Sequence, residues 1–271
     1  SRKSFIVLEK DDAILLWCSL GNITFNRIFK MKLARIGNPG KEKPIIVDKD
    51  NNYRDVSSVI KDFNSDNLNF ETLEKFKNIK PEDLPILEKN QRIGACVNNP
   101  SKFIGIGLNF KDHAIEQNMP IPKEPIIFSK FTNSVSGPND DIIIPRDSKK
   151  VDWECEIGVC LKSEVYQISQ DDSEKYIGGY FLANDVSARD FQLEKSGQFI
   201  IGKSSPTFGP IGPYLVTPDE IEDAQNLKMK TIVNGKIMQD GNTKDMIHSI
   251  NYIIAYLSTF IKLQKGDLII A

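Results

Sequence analysis

Along residues 151–161 polar and apolar positions alternate. Trp153, Cys155, Ile157, Val159 and Leu161 fall on one face of a strand, and Glu154, Glu156, Gly158 and Cys160 on the other. Shorter apolar runs at 33–36, 44–47 and 53–56 are separated by Asn38-Pro39-Gly40 and by the polar stretch 48–52, which reads as three short strands joined by turns. Residues 57–64 and 71–76 read as short helices. Residues 103–108 read as a buried strand. Asn109 is then placed to cap a short helix over 110–118, ended by Pro120 and Pro122. From Ile126 onward many short strands are predicted, with helices over 218–224 and 243–261. The second carries Met246, Ile250, Ile253, Ile254, Leu257 and Ile261 at helical spacing. Strands without regular helix alternation predict a β-rich α+β fold and argue against doubly wound and TIM-barrel folds. No Gly-x-Gly-x-x-Gly follows a strand, which argues against a dinucleotide site.

The polar face of 151–161 is chemically loaded. Glu154 and Glu156 stand side by side, and Asp185 follows the apolar run 180–183, where a strand should end. Like charges this close repel unless a cation lies between them or a proton is taken up. Three hard oxygen donors suit magnesium, manganese or calcium rather than zinc. The alternative is an acidic face in solvent, which the position of Asp185 at the tip of a buried strand makes harder to sustain.

The 271 residues suffice for one large domain or two smaller ones. Hydrophobic residues make up 40% and charged residues 27%, and the net charge is -2, which gives no reason to expect nucleic acid or membrane as a partner. Cys18, Cys96, Cys155 and Cys160 form no Cys-x-x-Cys pair, which favours a reducing, cytoplasmic setting. With His113 and His248 alone, a histidine-rich zinc site is excluded. The apolar run 13–20 is too short to span a bilayer, and Asp11 and Asp12 are the wrong flank for a signal peptide. Residues 1–30 are read as a non-native or upstream extension before Met31. At the other end, 266–271 reads as a strand broken off in progress, so a fragment is expected.

His113 and Glu116, three residues apart on the predicted helix, share a face. Such a pair suits general-base catalysis, the carboxylate orienting the imidazole and raising its basicity. On its own the spacing is weak evidence and far more often describes a surface ion pair.

Together these segments resemble the fumarylacetoacetate hydrolase superfamily. The resemblance is carried by Gly107-Leu108-Asn109-Phe110 with His113-Ala114-Ile115-Glu116 and by Pro125-Ile126-Ile127-Phe128-Ser129-Lys130. It continues through Asp152-Trp153-Glu154-Cys155-Glu156, Asn184-Asp185-Val186-Ser187-Ala188-Arg189-Asp190-Phe191-Gln192, the Gly202-Lys203-Ser204 segment and the late Val233-Asn234-Gly235 hairpin. It implies a fold of packed mixed β-sheets with few helices over 100–271, preceded by a small β-rich N-terminal domain over 31–95. Residues 31–60 are similar to a bacterial subgroup described as ureidoglycolate lyase-like or as 2,4-diketo-3-deoxy-L-fuconate (rhamnonate) hydrolase-like. Two departures matter. Fumarylacetoacetate hydrolase itself has a fourth metal carboxylate shortly before the histidine, where this chain is apolar over 103–108, so three protein ligands are expected. The family's Thr-Gly-Thr-Pro substrate loop would follow Ala271, so the catalytic domain is expected to be truncated.

The resemblance implies a divalent metal, Mg2+ or else Mn2+ or Ca2+, held by Glu154, Glu156 and Asp185, and a small-molecule 2-oxo acid as substrate. It assigns catalysis to His113, Glu116 and Lys203, and substrate contacts to Gln192, Arg189 and Lys130, with Lys130 also read as supporting the site from behind. Arg189 is equally open to fixing its turn by pairing with Asp190. The short α-helical segment carrying His113 is expected to act as a lid, and a homodimer is expected. The implied activity is hydrolysis of a carbon–carbon bond in a 2,4-dioxo acid of the acylpyruvate type. Alternatives are a lyase, isomerase, hydratase or decarboxylase on the same scaffold, ureidoglycolate lyase and oxaloacetate decarboxylase among them. A non-catalytic small-molecule binding protein is disfavoured, because the expected ligand positions are filled.

Overall fold

The computed structural model describes residues 31–271 apart from Lys77 and Gln117. The expected extension over 1–30 lies outside the described residues. Strands β1 (Lys32–Ile36), β2 (Lys43–Val47) and β3 (Tyr53–Asp55) come first, then α1 (Phe70–Phe76), β4 (Ile86–Leu87), β5 (Phe103–Gly107), α2 (Lys111–Glu116) and β6 (Ile126–Lys130). There follow β7 (Val135–Ser136), β8 (Val151–Asp152), β9 (Cys155–Leu161), β10 (Ile177–Asn184) and β11 (Ser187–Ala188), with α3 (Arg189–Leu193) and α4 (Phe199–Lys203) behind them. The remainder is β12 (Gly209–Pro210), β13 (Leu215–Val216), β14 (Lys228–Val233), β15 (Lys236–Asn242), α5 (Ile250–Phe260) and β16 (Leu268–Ile270). Strands dominate and helices are few and short, as the alternating runs predicted.

Ten strands form one mixed sheet in the order β4-β3-β2-β1-β13-β10-β9-β16-β5-β6. The N-terminal strands therefore join the same sheet as the rest, through Lys32↔Val216 and Leu33↔Leu215. A partly buried ion cluster links the N-terminal residues to Asp140 at a second place. Arg35 bonds Asp62 and Glu42, while Arg92 bonds Glu42 and also Asp140. Among the described residues no helix is long and apolar enough to cross a membrane.

Period-two alternation gives the sheet centre two buried faces. On one, Ile104, Ile106, Ile157, Val159, Leu161 and Ile269 pack with Ile250, Ile253, Ile254 and Leu257 of α5. On the other, Phe103, Cys160, Phe181, Leu268 and Ile270 form the larger core. This second face also carries two cross-strand pairs, Gly105↔Phe128 and Gly158↔Phe181. Each ring lies where a β-carbon on the facing glycine would be, 2.2 Å from its nearest atom in both cases. The glycines let the rings lie flat on the strand beside the site.

Several local expectations are revised. The strand expected over 151–161 is interrupted at Trp153 and Glu154. Val151 and Asp152 pair with β11, and β9 starts at Cys155. No helix forms over 57–64: Asp55 Oδ1 accepts from Ser57 N–H and Asn64 Oδ1 from Asp66 and Asn67, so side chains compete for the backbone. The helix expected over 243–261 is confined to α5, capped by Ser249, whose side chain accepts from Tyr252 N–H. Over 218–224 only a single 3-10 turn, Pro218–Glu220, is present. Asn109 does not spend its side chain on α2. Its Nδ2 donates to the His248 carbonyl at 3.0 Å, and its Oδ1 accepts from His248 N–H at 2.9 Å.

Candidate metal centre

Glu154, Glu156 and Asp185 converge. Glu156 sits opposite Ala183 in the β9–β10 ladder, and Asp185 follows the last ladder pair, Cys155↔Asn184. The break before β9 turns Glu154 toward them: its N–H donates to Asn184 Oδ1 at 3.1 Å, and its carbonyl accepts from Asp185 N–H at 2.8 Å. One carboxylate oxygen from each of the three lies within 4.8 Å of the others. Glu156 and Asp185 are buried, Asp185 completely.

Three cationic side chains meet the three acids. Lys203 Nζ, at the end of α4, donates to Glu154 Oε2 and Asp185 Oδ2, each at 2.5 Å, and lies 5.0 Å from the centre of the Phe128 ring. Lys130 Nζ, at the end of β6, donates at 2.5 Å to Asp185 Oδ1 and to the Lys203 carbonyl. Arg189 Nη2 donates to Glu154 Oε1 at 2.6 Å and Asp152 Oδ2 at 2.8 Å, and its Nη1 to Gln192 Oε1 at 3.0 Å. Arg189 thus pairs inside the site. Asp190 instead accepts from Ser148 and the Lys149 N–H. Gln192 is buried beside Gly202, where a β-carbon would meet its Cβ at 2.6 Å, so a glycine there lets α3 and α4 close up.

The acids are not equivalent. Burial pushes the Glu156 carboxyl well above its usual value, and the charges of Asp185 and Glu154 push it further. Burial raises Glu154 too, but the Lys203 and Arg189 charges outweigh it and hold that carboxyl at about 2. Burial lowers the Lys130 ammonium against the pull of Asp185, whereas for Lys203 the attraction of Asp185 and Glu154 exceeds the burial cost. Glu156 Oε2 is buried with no hydrogen-bond partner. An orphaned carboxylate oxygen, set among two further acids, fits a hard divalent cation: the donor set is all oxygen, and a cation would satisfy the missing contact.

Of the residues predicted from sequence, Glu154, Glu156, Asp185, Lys203, Arg189, Gln192 and Lys130 are brought together. Lys130, grouped with the substrate contacts but also read as supporting them from behind, is enclosed behind Asp185 with its side chain fully buried. His113 is half-buried and Glu116 exposed on α2, at the end of β5, and neither joins the acidic group. Asp152 and Asn184 were missed as partners. Both lie inside the quoted segments, and period-two spacing already sets Asp152 on the face of Glu154.

Replacing Lys130 with Met is expected to cost about 3–5 kcal/mol, the penalty for stranding one member of a buried ion pair. The check is a urea midpoint in chelator. Magnesium should recover part of the loss, because a cation at the trio relieves the same excess negative charge. An unchanged midpoint would show that the pair is electrostatically neutral to folding.

Residues 102–271 match the family described as fumarylacetoacetate (FAA) hydrolase, C-terminal. A Burkholderia multivorans protein whose name assigns it provisionally to the hydrolases is 47% identical over 239 residues, covering 88% of this chain and 85% of its own. The solved fumarylacetoacetate hydrolase of Exiguobacterium antarcticum superposes with a TM-score of 0.76 at 28% identity, over 89% of this chain and 85% of that one. A 5-carboxymethyl-2-hydroxymuconate delta-isomerase from Mycobacterium smegmatis gives 0.68 at 27% identity, over 89% and 86%.

Proposed function

Because the chain belongs to the fumarylacetoacetate hydrolase family, by its match over 102–271 and by 47% identity to a relative across most of its length, we propose that it is a divalent-metal-dependent hydrolase. It cleaves a carbon–carbon bond in a 2,4-dioxo acid of the acylpyruvate type. The observation that carries this reading is the buried, unpartnered Glu156 Oε2 at the meeting point of three carboxylates.

Magnesium, or manganese or calcium in its place, would be held by Glu154, Glu156 and Asp185 and would supply Lewis-acid polarisation of the substrate's carboxylate and 2-oxo oxygens. The chain's own groups do the rest. His113 takes a proton from water, with Glu116 orienting the imidazole, and the water attacks the 4-oxo carbon. The bond from that carbon to C3 breaks, and its electron pair leaves as a pyruvate-type enolate that is then protonated at C3. Lys203 brings positive charge to that enolate oxygen from a site that excludes water. Arg189, held by Asp152 and Glu154, and Gln192 beside it, orient the substrate. Homodimer formation belongs to the same reading.

Incubation with a panel of 2,4-dioxo acids, oxaloacetate and ureidoglycolate, with and without magnesium, tests it. Pyruvate released from the 2,4-dioxo acids only with metal is the expected result. A second reading, isomerase, is favoured by the solved isomerase that shares the fold, and decarboxylase is kept beside it as another reaction open to a 2-oxo acid. It predicts conversion without fragmentation, or loss of CO2 from oxaloacetate. Metal binding with no conversion of any panel member would overturn both.

A further inference from the structure

The peptide unit joining Glu154 to Cys155 lies between two of the three acids, and its two polar groups are gripped from opposite sides. The carbonyl accepts from Asp185 N–H at 2.8 Å, and the N–H, that of Cys155, donates to Gln239 Oε1 at 3.0 Å. The preceding unit is held as well, by Glu154 N–H donating to Asn184 Oδ1 at 3.1 Å. The backbone is thus set on both sides of Glu154. Two of these partners belong to residues 184–185, at the third acid. The other reaches in from β15, 84 residues along the chain.

The hairpin presents Gln239 for that contact. Gln239 is half-buried, while every other residue of 234–240 is exposed. Across the hairpin it faces buried Thr231, whose hydroxyl donates to the same Oε1 at 2.6 Å. A backbone N–H can only donate, so the amide must turn its oxygen toward Cys155, and the Thr231 hydroxyl holds it there. Met229, on the same strand as Thr231, packs with Ile157 and Val159 of β9 in the core and anchors the hairpin beside the acids.

From this arrangement we propose that Gln239 is a positioning residue for the metal centre: by fixing the Glu154–Cys155 peptide, it sets how the Glu154 and Glu156 carboxylates meet Asp185. The proposal rests on the reading of the three acids as a metal site. Rotating that peptide would carry Glu154 away from the other two without straining a covalent bond. Three acids that repel one another need such a restraint to keep one oxygen each within 4.8 Å. Hydrogen bonds behind the ligands are a general means of orienting them.

The full chain is compared with Gln239→Leu, which removes the acceptor, and with Gln239→Glu, which keeps an oxygen at the same reach. Each protein is stripped with chelator and titrated with magnesium chloride by calorimetry. Hydrogen exchange is followed at the Cys155 amide, and folding by circular dichroism and thermal midpoint. In Gln239→Leu, exchange at Cys155 should rise roughly tenfold, and magnesium should bind roughly 10–100-fold more weakly, with the fold retained. Gln239→Glu should restore slow exchange and bind magnesium at least as tightly as the unaltered chain. If Gln239→Leu does not fold, Thr231→Val, which withdraws the hydroxyl and frees the amide to turn, must shift exchange and affinity in the same directions, or the proposal falls. An unchanged magnesium affinity in folded Gln239→Leu, or a loss that Gln239→Glu does not rescue, would overturn this proposal alone. No magnesium binding by the unaltered chain would overturn the metal reading and this proposal with it.

Discussion

Stripping the protein with chelator is expected to abolish turnover, and magnesium or manganese to restore it. The expectation follows from charge. Glu156 is buried beside Asp185 and Glu154, one of its oxygens lacks a partner, and its carboxyl is pushed toward the protonated form. A divalent ion would take the place of that proton and would be held by Glu154, Glu156 and Asp185, oxygen donors of the kind it prefers. Glu154→Ala and Asp185→Ala should stay inactive whatever metal is added. Asp185→Asn should accompany them, because Asp185→Ala also strands the ammonium groups of Lys130 and Lys203 and risks unfolding. Turnover is measured on the 2,4-dioxo acid panel, and folding by circular dichroism. Full activity in a metal-free preparation, shown to be so by elemental analysis, would remove the site assignment.

His113→Ala should slow turnover by roughly 10²–10⁴-fold, the usual contribution of a positioned general base. Metal affinity should not move, since His113 lies outside the group formed by Glu154, Glu156 and Asp185. That separation gives the experiment its power, because a ligand would lose metal and rate together while a base loses rate alone. Glu116→Gln should follow in the same direction by less, as the imidazole keeps its place and loses only its orienting charge. Calorimetric titration with magnesium and steady-state rates on the same preparations decide the matter. Near wild-type turnover in His113→Ala would place the base elsewhere.

Much of the site was legible because its signals are local. Glu154 and Glu156 announce themselves by period-two spacing, and Asp185 by its position where an apolar run stops. The β-rich α+β character was visible in the same way. What escaped was decided by distance along the chain. Lys130 reads as supporting the site from behind, but its partner Asp185 lies 55 residues away and nothing in the segment 126–130 names it. The break at Trp153 and Glu154 is set by Asn184, thirty residues further on. Asn109 reads as a helix cap until His248, 139 residues away, claims both ends of its amide. Nor does any pattern announce β13, a strand of only two residues that stitches β1 to β10.

The placement of β16 has a consequence for how the chain is made. Residues 268–270 lie between β9 and β5, parallel to one and antiparallel to the other. On the ribosome, residues 103–107 and 155–161 are finished first, and each then waits with an open edge for a strand not yet synthesised. At about 5–20 residues per second, that wait is on the order of 5–20 s for residues 155–161 and 8–30 s for residues 103–107. Two bare, apolar strand edges exposed for so long are templates for pairing with other nascent chains. The cell therefore has a reason to keep this polypeptide in the company of a chaperone until residue 270 has emerged and the gap in the sheet has closed.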